Sequence, residues 1–270
     1  MKAIDKVGLL AGEGELPVIF ADEARKKGTK VIAFGAKGLA SPQLEGHVDK
    51  IYWVDLANTK KLPVMILTNG IKKLVMLGKI PKSLFFKKDF SKSEHINSLL
   101  KDTKNRADDS ILKEVSQKAE KFGITFINPI DYLSDYVPKE GTLTKREPTA
   151  KEWEDIEFGR EIARALGRLD IGQTVVVQNK AILAVEAIEG TDEAIKRGGQ
   201  FSKGGMVVVK MIKPTQDPRF DIPTVGIETI NSLIKAKASV LAMEAGKTLF
   251  INRDKSVKKA DENGISIVAI

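Results

Sequence analysis

The chain contains no cysteine, which excludes disulfides, thiolate zinc sites and cysteine nucleophiles. Histidine is nearly absent. With only His47 and His95, a histidine metal cluster is excluded too. No apolar run reaches the roughly 18 to 20 residues that a bilayer-spanning helix needs. The opening MKAIDKVGLLAGEG lacks the length and the small-residue cleavage site of a signal peptide, so the expectation is a cytosolic protein. Also missing are a GxSxG elbow, a Walker A sequence and an HExxH pair, which sets aside serine-hydrolase, P-loop NTPase and zincin chemistry.

What is present suffices for one large domain or two modest ones, since 270 residues with 42% hydrophobic content can build real cores. The 44 Lys and Arg against 36 Asp and Glu give a formal charge of +8, which favours anionic ligands such as nucleotides, phosphates or an acidic membrane face. A lysine-rich solvated surface accounts for the same excess. Aromatics do not interleave the lysines as stacking platforms would, so nucleic acid is not the expected partner.

The first third alternates apolar strand-like runs with amphipathic segments, the pattern of a Rossmann-like parallel sheet covered by helices. Strands are expected at Val7 to Gly12, Lys30 to Gly35, Lys50 to Val54, Lys72 to Leu77 and Ile124 to Ile127. Helices are expected over Pro17 to Lys27, Lys60 to Asn69 and about Asp108 to Lys121, stopped by Gly28, Gly70 and Gly123. Arg106-Ala107-Asp108-Asp109 reads as a helix start, where acids complement the positive end. The proline-rich text from Asn128 to Pro148 suits a domain boundary near residue 140. The domains are then 1–135 and 149–270, joined by a linker at 136–148. The fold class is therefore α/β with two domains, the second a mixed α/β unit.

In that second unit Thr149 and Glu152 form a capping box for a helix running to Leu166 and ended by Gly167. A hairpin of Gln173 to Gln178 and Ala181 to Ala187 turns at Asn179-Lys180. Thr191 is expected to cap a short helix ending at Gly198-Gly199. Strands at Met206 to Ile212, Ser239 to Met243, Thr248 to Ile251 and Ile265 to Val268 alternate with helices at Ile227 to Ala236 and Asp254 to Glu262.

Strand one runs into Gly12-Glu13-Gly14-Glu15-Leu16-Pro17. Either its glycines turn backbone amides outward as a phosphate seat, or they make a tight βα turn with a proline in the first helical turn. The dinucleotide fingerprint wants a third glycine where Pro17 stands, and Phe34-Gly35-Ala36-Lys37 offers no acid for a ribose, so NAD binding is disfavoured. Lys79 follows the strand ending at Leu77, where it either meets a phosphate or is a surface lysine.

Denser chemistry lies in the second half. Gly167 to Gln173 precedes a strand and Glu186 to Asp192 follows one, so carboxylates, an arginine and tight turns gather at one rim, for ligands or for caps and salt bridges. Alternation places Glu186 and Ile188 on one face and Glu189 on the other. The loop KPTQDPRFDIP offers hard oxygens at Asp217 and Asp221 and cations at Lys213 and Arg219. Mg²⁺ takes one or two carboxylates plus phosphate oxygens, and an arginine fork grips the same phosphate. A proline-rich connector with solvated charges is the alternative. Gly198-Gly199 and Gly204-Gly205 flank Phe201, permitting either a close ligand approach to the backbone or loop flexibility. His47 and His95 lack acids at catalytic spacing and read as surface residues.

Six segments in order, GLLAGEGELP, LGKIPK, GTLTKREPT, LGRLDIGQTVVV, AVEAIEGTDEAIKRGG and KPTQDPRFDIPTVG, resemble the LpxI family, the UDP-2,3-diacylglucosamine pyrophosphatases of lipid A synthesis. The resemblance runs from about residue 7 to 268. It implies Mg²⁺-dependent hydrolysis of UDP-2,3-diacylglucosamine to UMP and 2,3-diacylglucosamine 1-phosphate (lipid X), by two α/β domains with the lipid held between them. It further implies that the acid of QDxRFDxP binds the metal, a motif that both Asp217 and Asp221 match. Arg219 and Lys213 would then hold phosphate, Glu186, Glu189 and Asp192 would be ligands or water-orienting bases, and Gly12, Gly14 and Lys79 would contact uridine or phosphate. A cytoplasmic protein peripheral on the anionic inner face of the inner membrane follows, with a homodimer expected from the frequency of two-fold symmetry. The lysine-rich stretch Ser83 to Asn105 either meets anionic headgroups, with Phe85, Phe86 and Phe90 dipping toward acyl chains, or contributes those rings to a core. Two other readings stand beside this one: a pyrophosphatase acting on another nucleotide sugar, and a non-catalytic nucleotide-sugar or lipid-binding module.

Overall fold

The computed structural model describes residues 5–80, 115–214 and 216–270. Ser83 to Asn105 with its three phenylalanines, Arg106 to Asp109, His95 and the start of the helix expected from Asp108 lie outside the described residues. Residues 115–120 of that helix are helical. The chain divides into two compact units, 1–133 with 217–221, and 134–216 with 222–270. No described helix is long and apolar enough to cross a membrane.

The first unit carries a five-stranded, wholly parallel sheet in the order β3-β2-β1-β4-β5. Its strands are β1 (Lys6–Ala11), β2 (Lys30–Ala36), β3 (Lys50–Val54), β4 (Lys73–Leu77) and β5 (Thr125–Phe126). The central strands read as near-continuous apolar runs because helices cover the sheet, as β2 shows with six of its seven residues buried. Helix α1 (Leu16–Lys26) and helix α2 (Leu62–Thr68) each begin with a proline in the first turn, where its missing N–H costs nothing. His47 is not without an acid: it ends a 3-10 turn that brings its Nδ1 within 2.7 Å of Asp22 Oδ1, a pairing across 25 residues that local spacing does not reveal.

The second unit carries a six-stranded mixed sheet in the order β6-β13-β11-β9-β7-β8, built from β6 (Gly141–Thr142), β7 (Thr174–Gln178), β8 (Ala181–Val185), β9 (Met206–Lys210), β11 (Ala238–Met243) and β13 (Ser266–Ala269). Strands β9, β11 and β13 are parallel, while β6, β7 and β8 run antiparallel to their neighbours. A small parallel pair joins β10 (Thr224–Val225) to β12 (Leu249–Phe250). One face of the large sheet is covered by the helix Ala150–Arg168, through Ile156 and Ala163 against Val175 and Val209. The helices Thr191–Phe201, Ile227–Lys235 and Arg253–Glu262 cover the other, where Ile195, Ile230 and Ala260 pack with Val176 and Val208.

The capping box is present: Thr149 Oγ1 accepts from the Glu152 amide at 3.3 Å, and Glu152 accepts from the Thr149 amide at 2.8 Å. The hairpin turns at Asn179-Lys180, both left-handed, and buried Asp155 accepts their two amide protons at 2.9 and 2.6 Å. Three expectations need correcting. The helix from Ala150 runs through Gly167 to Arg168, because a Cβ on Gly167 would stand 3.1 Å from Lys213 Cα, so that glycine serves close packing. Residues 136–148 are not a plain linker, since β6 pairs with β13 and the Leu143 amide bonds Ile267 at 2.8 Å. Thr191 does not cap its helix. Gly190 precedes the helix, and the Thr191 hydroxyl is turned to other partners.

Candidate functional site

Ligands of open α/β sheets gather at the carboxyl ends of the strands. At that edge in the first unit, the Gly12 amide donates to Leu77 O at 2.8 Å, and Glu13 and Lys79 exchange backbone hydrogen bonds at 2.9 Å each. A Cβ on Gly12 would lie 2.7 Å from the Lys79 carbonyl oxygen. Glycine at 12 is therefore required by backbone against backbone. The Gly12 and Glu13 amides are spent on the chain itself, and Pro17 has no amide proton to offer. Gly14, with φ of 104°, faces open space, and Lys79 is exposed.

The loop Asp217–Asp221 belongs to the first unit. Asp217 grips Arg219 through both carboxylate oxygens: Oδ1 accepts from the Arg219 amide and from Nε at 3.0 Å, and Oδ2 from Nη2 at 2.7 Å. The hydrogen bond and charge of Asp217 push the Arg219 guanidinium above its ordinary value. Arg219 also lies over the Phe220 ring, 5.1 Å from its centroid, and Phe220 meets Phe126 edge to face. The sequence leaves Asp217 and Asp221 equivalent as metal ligands, but the structure separates them. Asp217 orients Arg219, whereas Asp221 is exposed at the end of the turn.

At the carboxyl edge of the second sheet, four polar side chains meet beneath the first turn of the helix Thr191–Phe201. Glu186 is only 8% exposed and Lys210 only 5%. Lys210 Nζ donates to Thr191 Oγ1 at 2.8 Å, Thr191 Oγ1 donates to Glu186 Oε1 at 3.2 Å, and Thr174 Oγ1 lies 3.3 Å from Thr191 Oγ1. Among the described residues no ion pair joins Lys210 to a carboxylate, and Glu186 Oε2, buried, has no hydrogen-bond partner. A buried carboxylate oxygen left unsatisfied is costly and calls for a donor or a cation. Lys210, Thr191 and Thr174 are the residues that sequence reasoning missed. Lys210 did carry a signal: strand alternation puts it on the core-facing side with Met206 and Val208.

The other expected residues sit apart from this cluster. Glu189 is ion-paired with Arg197, which also donates to Val185 O at 2.7 Å. A hydrogen bond from its own backbone amide, together with Arg197, holds the Glu189 carboxyl below its ordinary value. Lys213 Nζ is paired with Asp170 at 2.6 Å. Asp192 is exposed in the helix's first turn, where it complements the positive end. Gly198 and Gly199 stand inside the helix and not in a loop. A Cβ at each would come within 2.6 Å of Val176 and 2.8 Å of Ala236, so both serve close packing.

Among the described residues no three Asp, Glu or His side chains gather into a metal cage. The residues fit Mg²⁺ in the form that uses one or two carboxylates and completes its shell with water and phosphate oxygens, for which the orphaned Glu186 oxygen is suited.

A doubly wound parallel sheet followed by a mixed sheet, with buried acid, base and hydroxyls at the latter's strand ends, defines an α/β protein with a polar strand-end site. Residues 6–136 match the LpxI N-terminal domain and residues 139–268 the LpxI C-terminal domain. The chain belongs to the LpxI family. It is 28% identical to the UDP-2,3-diacylglucosamine pyrophosphatase LpxI of Caulobacter vibrioides, with 98% of this chain and 97% of that protein covered. Among solved structures it is similar to the biotin carboxylase subunit of pyruvate carboxylase, at 16% identity and a TM-score of 0.30, covering 69% of this chain and 39% of that one. The biotin carboxylase domain of Hydrogenobacter thermophilus 2-oxoglutarate carboxylase gives 13% identity and a TM-score of 0.29, covering 73% and 41%. At such TM-scores the likeness carries no argument.

Proposed function

We propose that this protein hydrolyses the diphosphate of UDP-2,3-diacylglucosamine, giving UMP and 2,3-diacylglucosamine 1-phosphate, with Mg²⁺ bound. The observation that carries this reading is the match of both family domains, in order, over nearly the whole chain. The relative in Caulobacter vibrioides, aligned end to end, bears that activity as its name. When bound, the metal neutralises charge on the phosphate oxygens. Glu186, whose buried Oε2 has no partner, is the residue we assign to hold it.

The chain's own groups do the rest. Lys210, steadied by Thr191, meets phosphate charge inside a dry edge where each charge counts for more than in water. In the first unit, Arg219, preset by Asp217, has its fork oriented in a way that suits a phosphate. In this reading water attacks the phosphorus on the sugar side, the bond from that phosphorus to the bridging oxygen breaks, and UMP departs with the bridging oxygen while the water proton passes to solvent. Hydrolysis in ¹⁸O-labelled water is expected to put the label in the sugar phosphate, and label in UMP would reverse the assignment. Contact with anionic headgroups and a homodimer belong to the same reading, checked by vesicle co-sedimentation and light scattering.

A further inference from the structure

The four long strands of the first sheet all open on a lysine: Lys6, Lys30, Lys50 and Lys73. In the second sheet no described strand does. Parallel strands put their first residues on one edge, so these lysines gather at the amino edge, opposite the strand ends where ligands of such sheets bind. Register brings them closer still. Lys6 pairs with Lys30, Lys50 with Ile32 two residues further along β2, and Val7 with Lys73, which sets Lys72 beside Lys6. Because side chains alternate along a strand, Lys6, Lys30 and Lys50 share one face, on strands about 4.8 Å apart. It is the α2 side of the sheet, where Ile32 packs with Ile66.

Acids do not neutralise that face. Asp5 is taken by Lys73 at 3.0 Å, and Asp49 accepts the Val31 amide at 2.8 Å. Lys6 donates to the carbonyl of Asn69 at the end of α2, and Lys50 lies over the Tyr52 ring, 4.7 Å from its centroid. Lys30 and Lys72 are exposed, and among the described residues no ion pair holds either. Like charges held side by side on a folded edge repel, and an anionic surface turns that cost into attraction. Hydrocarbon accompanies them. Leu67, two residues before Asn69, is 44% exposed, and Phe122, three residues before β5, is 66% exposed. Lysines beside exposed leucine and phenylalanine suit a membrane interface, with the cations among headgroups and the apolar side chains at the acyl boundary. A single-stranded nucleic acid wants a series of open rings, whereas here Lys50 covers Tyr52 and leaves Phe122.

We infer that the amino edge of the first sheet, on its α2 side, is the face with which the protein docks on an anionic bilayer. The inference rests on the proposed function, whose headgroup contact it deepens by giving that contact a place.

The test is co-sedimentation of the full-length protein with vesicles of equimolar phosphatidylglycerol and phosphatidylcholine, against phosphatidylcholine alone. The native protein binds the anionic vesicles and is released as salt rises. Each lysine near an anionic surface is worth about fivefold in binding, so Lys30→Glu with Lys72→Glu weakens it at least about 25-fold. Phe122→Ser weakens it about tenfold. Lys255→Glu with Lys258→Glu makes the same change in net charge on a helix of the second unit and alters binding by only about twofold. Equal binding to both vesicles, a folded Lys30→Glu, Lys72→Glu variant that binds like the native protein, or an equal loss from the Lys255 and Lys258 changes overturns the inference. Failure to bind the anionic vesicles overturns it as well, and binding of heparin by the same sample would then make the edge a site for an acidic macromolecule. If the charge reversals prevent folding, Lys30→Gln with Lys72→Gln decides, with an expected loss of about 25-fold. Hydrolysis of UDP-2,3-diacylglucosamine dispersed in detergent separates the two readings, since it needs no bilayer and is unchanged in the lysine variants. Docking without hydrolysis defeats the proposed function and leaves the docking face standing, and hydrolysis without docking does the reverse.

Discussion

At the end of β1 the amides of Gly12 and Glu13 are consumed by the backbone of Leu77 and Lys79, and the space beside them is lined with leucine, isoleucine and phenylalanine. At the end of β9, by contrast, Lys210 reaches a threonine hydroxyl, and Glu186 keeps a buried oxygen without a partner. The two edges occupy the same position in their sheets and carry opposite chemistry. Topology therefore says where a ligand meets each sheet, and the side chains at the strand ends say which chemistry it meets there. A buried Lys and Glu separated by one hydroxyl are expensive to maintain without a ligand, whereas the apolar cavity costs lost dispersion contacts and exposed hydrocarbon.

The comparison is most exposed at Glu186. Glu186→Ala is expected to lower hydrolysis of UDP-2,3-diacylglucosamine by about 10² to 10⁴ while substrate binding changes only a few fold, read by steady-state kinetics and calorimetry. A loss confined to affinity would make the polar edge a recognition surface. Next in size, Gly12→Ala drives a methyl group into the Lys79 carbonyl and should destabilise the protein by about 1–3 kcal/mol in urea unfolding. If that variant instead keeps full stability and loses only nucleotide affinity, the turn is a phosphate seat after all and the contrast between the edges fails.

Smaller effects sharpen the same contrast by touching neither edge. Thr149→Ala removes the capping box of the helix Ala150–Arg168 and should cost about 1 kcal/mol of stability, with turnover per folded molecule unchanged. The smallest effect concerns acid. Burial alone would raise the Glu152 carboxyl, but hydrogen bonds involving Ser239, Thr149 and Arg146 outweigh it and hold Glu152 below its ordinary value. A carboxyl lowered by folding contributes stability above its unfolded value and loses it as pH falls through the folded one. Native protein should therefore lose a small increment on acidification below the ordinary glutamate range, and Glu152→Gln should not, as thermal melts at stepped pH would show.

Much of the architecture was legible because local patterns dictate it. Apolar runs such as Val31 to Phe34, glycine-stopped helices, the Thr149 capping box and the Asn179-Lys180 turn all act within a few residues of themselves. The small strand Gly141–Thr142 was not legible, because its hydrogen bonds go to β13, more than a hundred residues away. The site divides the same way. Glu186 could be picked from its place after a strand, but its partners Thr191, Thr174 and Lys210 converge only when three strand ends and a helix start are brought together. Asp217 and Asp221 look alike in the motif, and only the folded turn shows the first bound to Arg219. The glycine turn left two readings open for a related reason: the same Gly12 that frees an amide for phosphate also permits a strand-end backbone to close on it.

The most direct test of the central claim is mass spectrometry of the purified protein incubated with UDP-2,3-diacylglucosamine, with and without Mg²⁺. The account predicts UMP and 2,3-diacylglucosamine 1-phosphate appearing together and only with the metal. Intact substrate bound but uncleaved in both samples would contradict it and make the buried Glu186 edge an element of recognition.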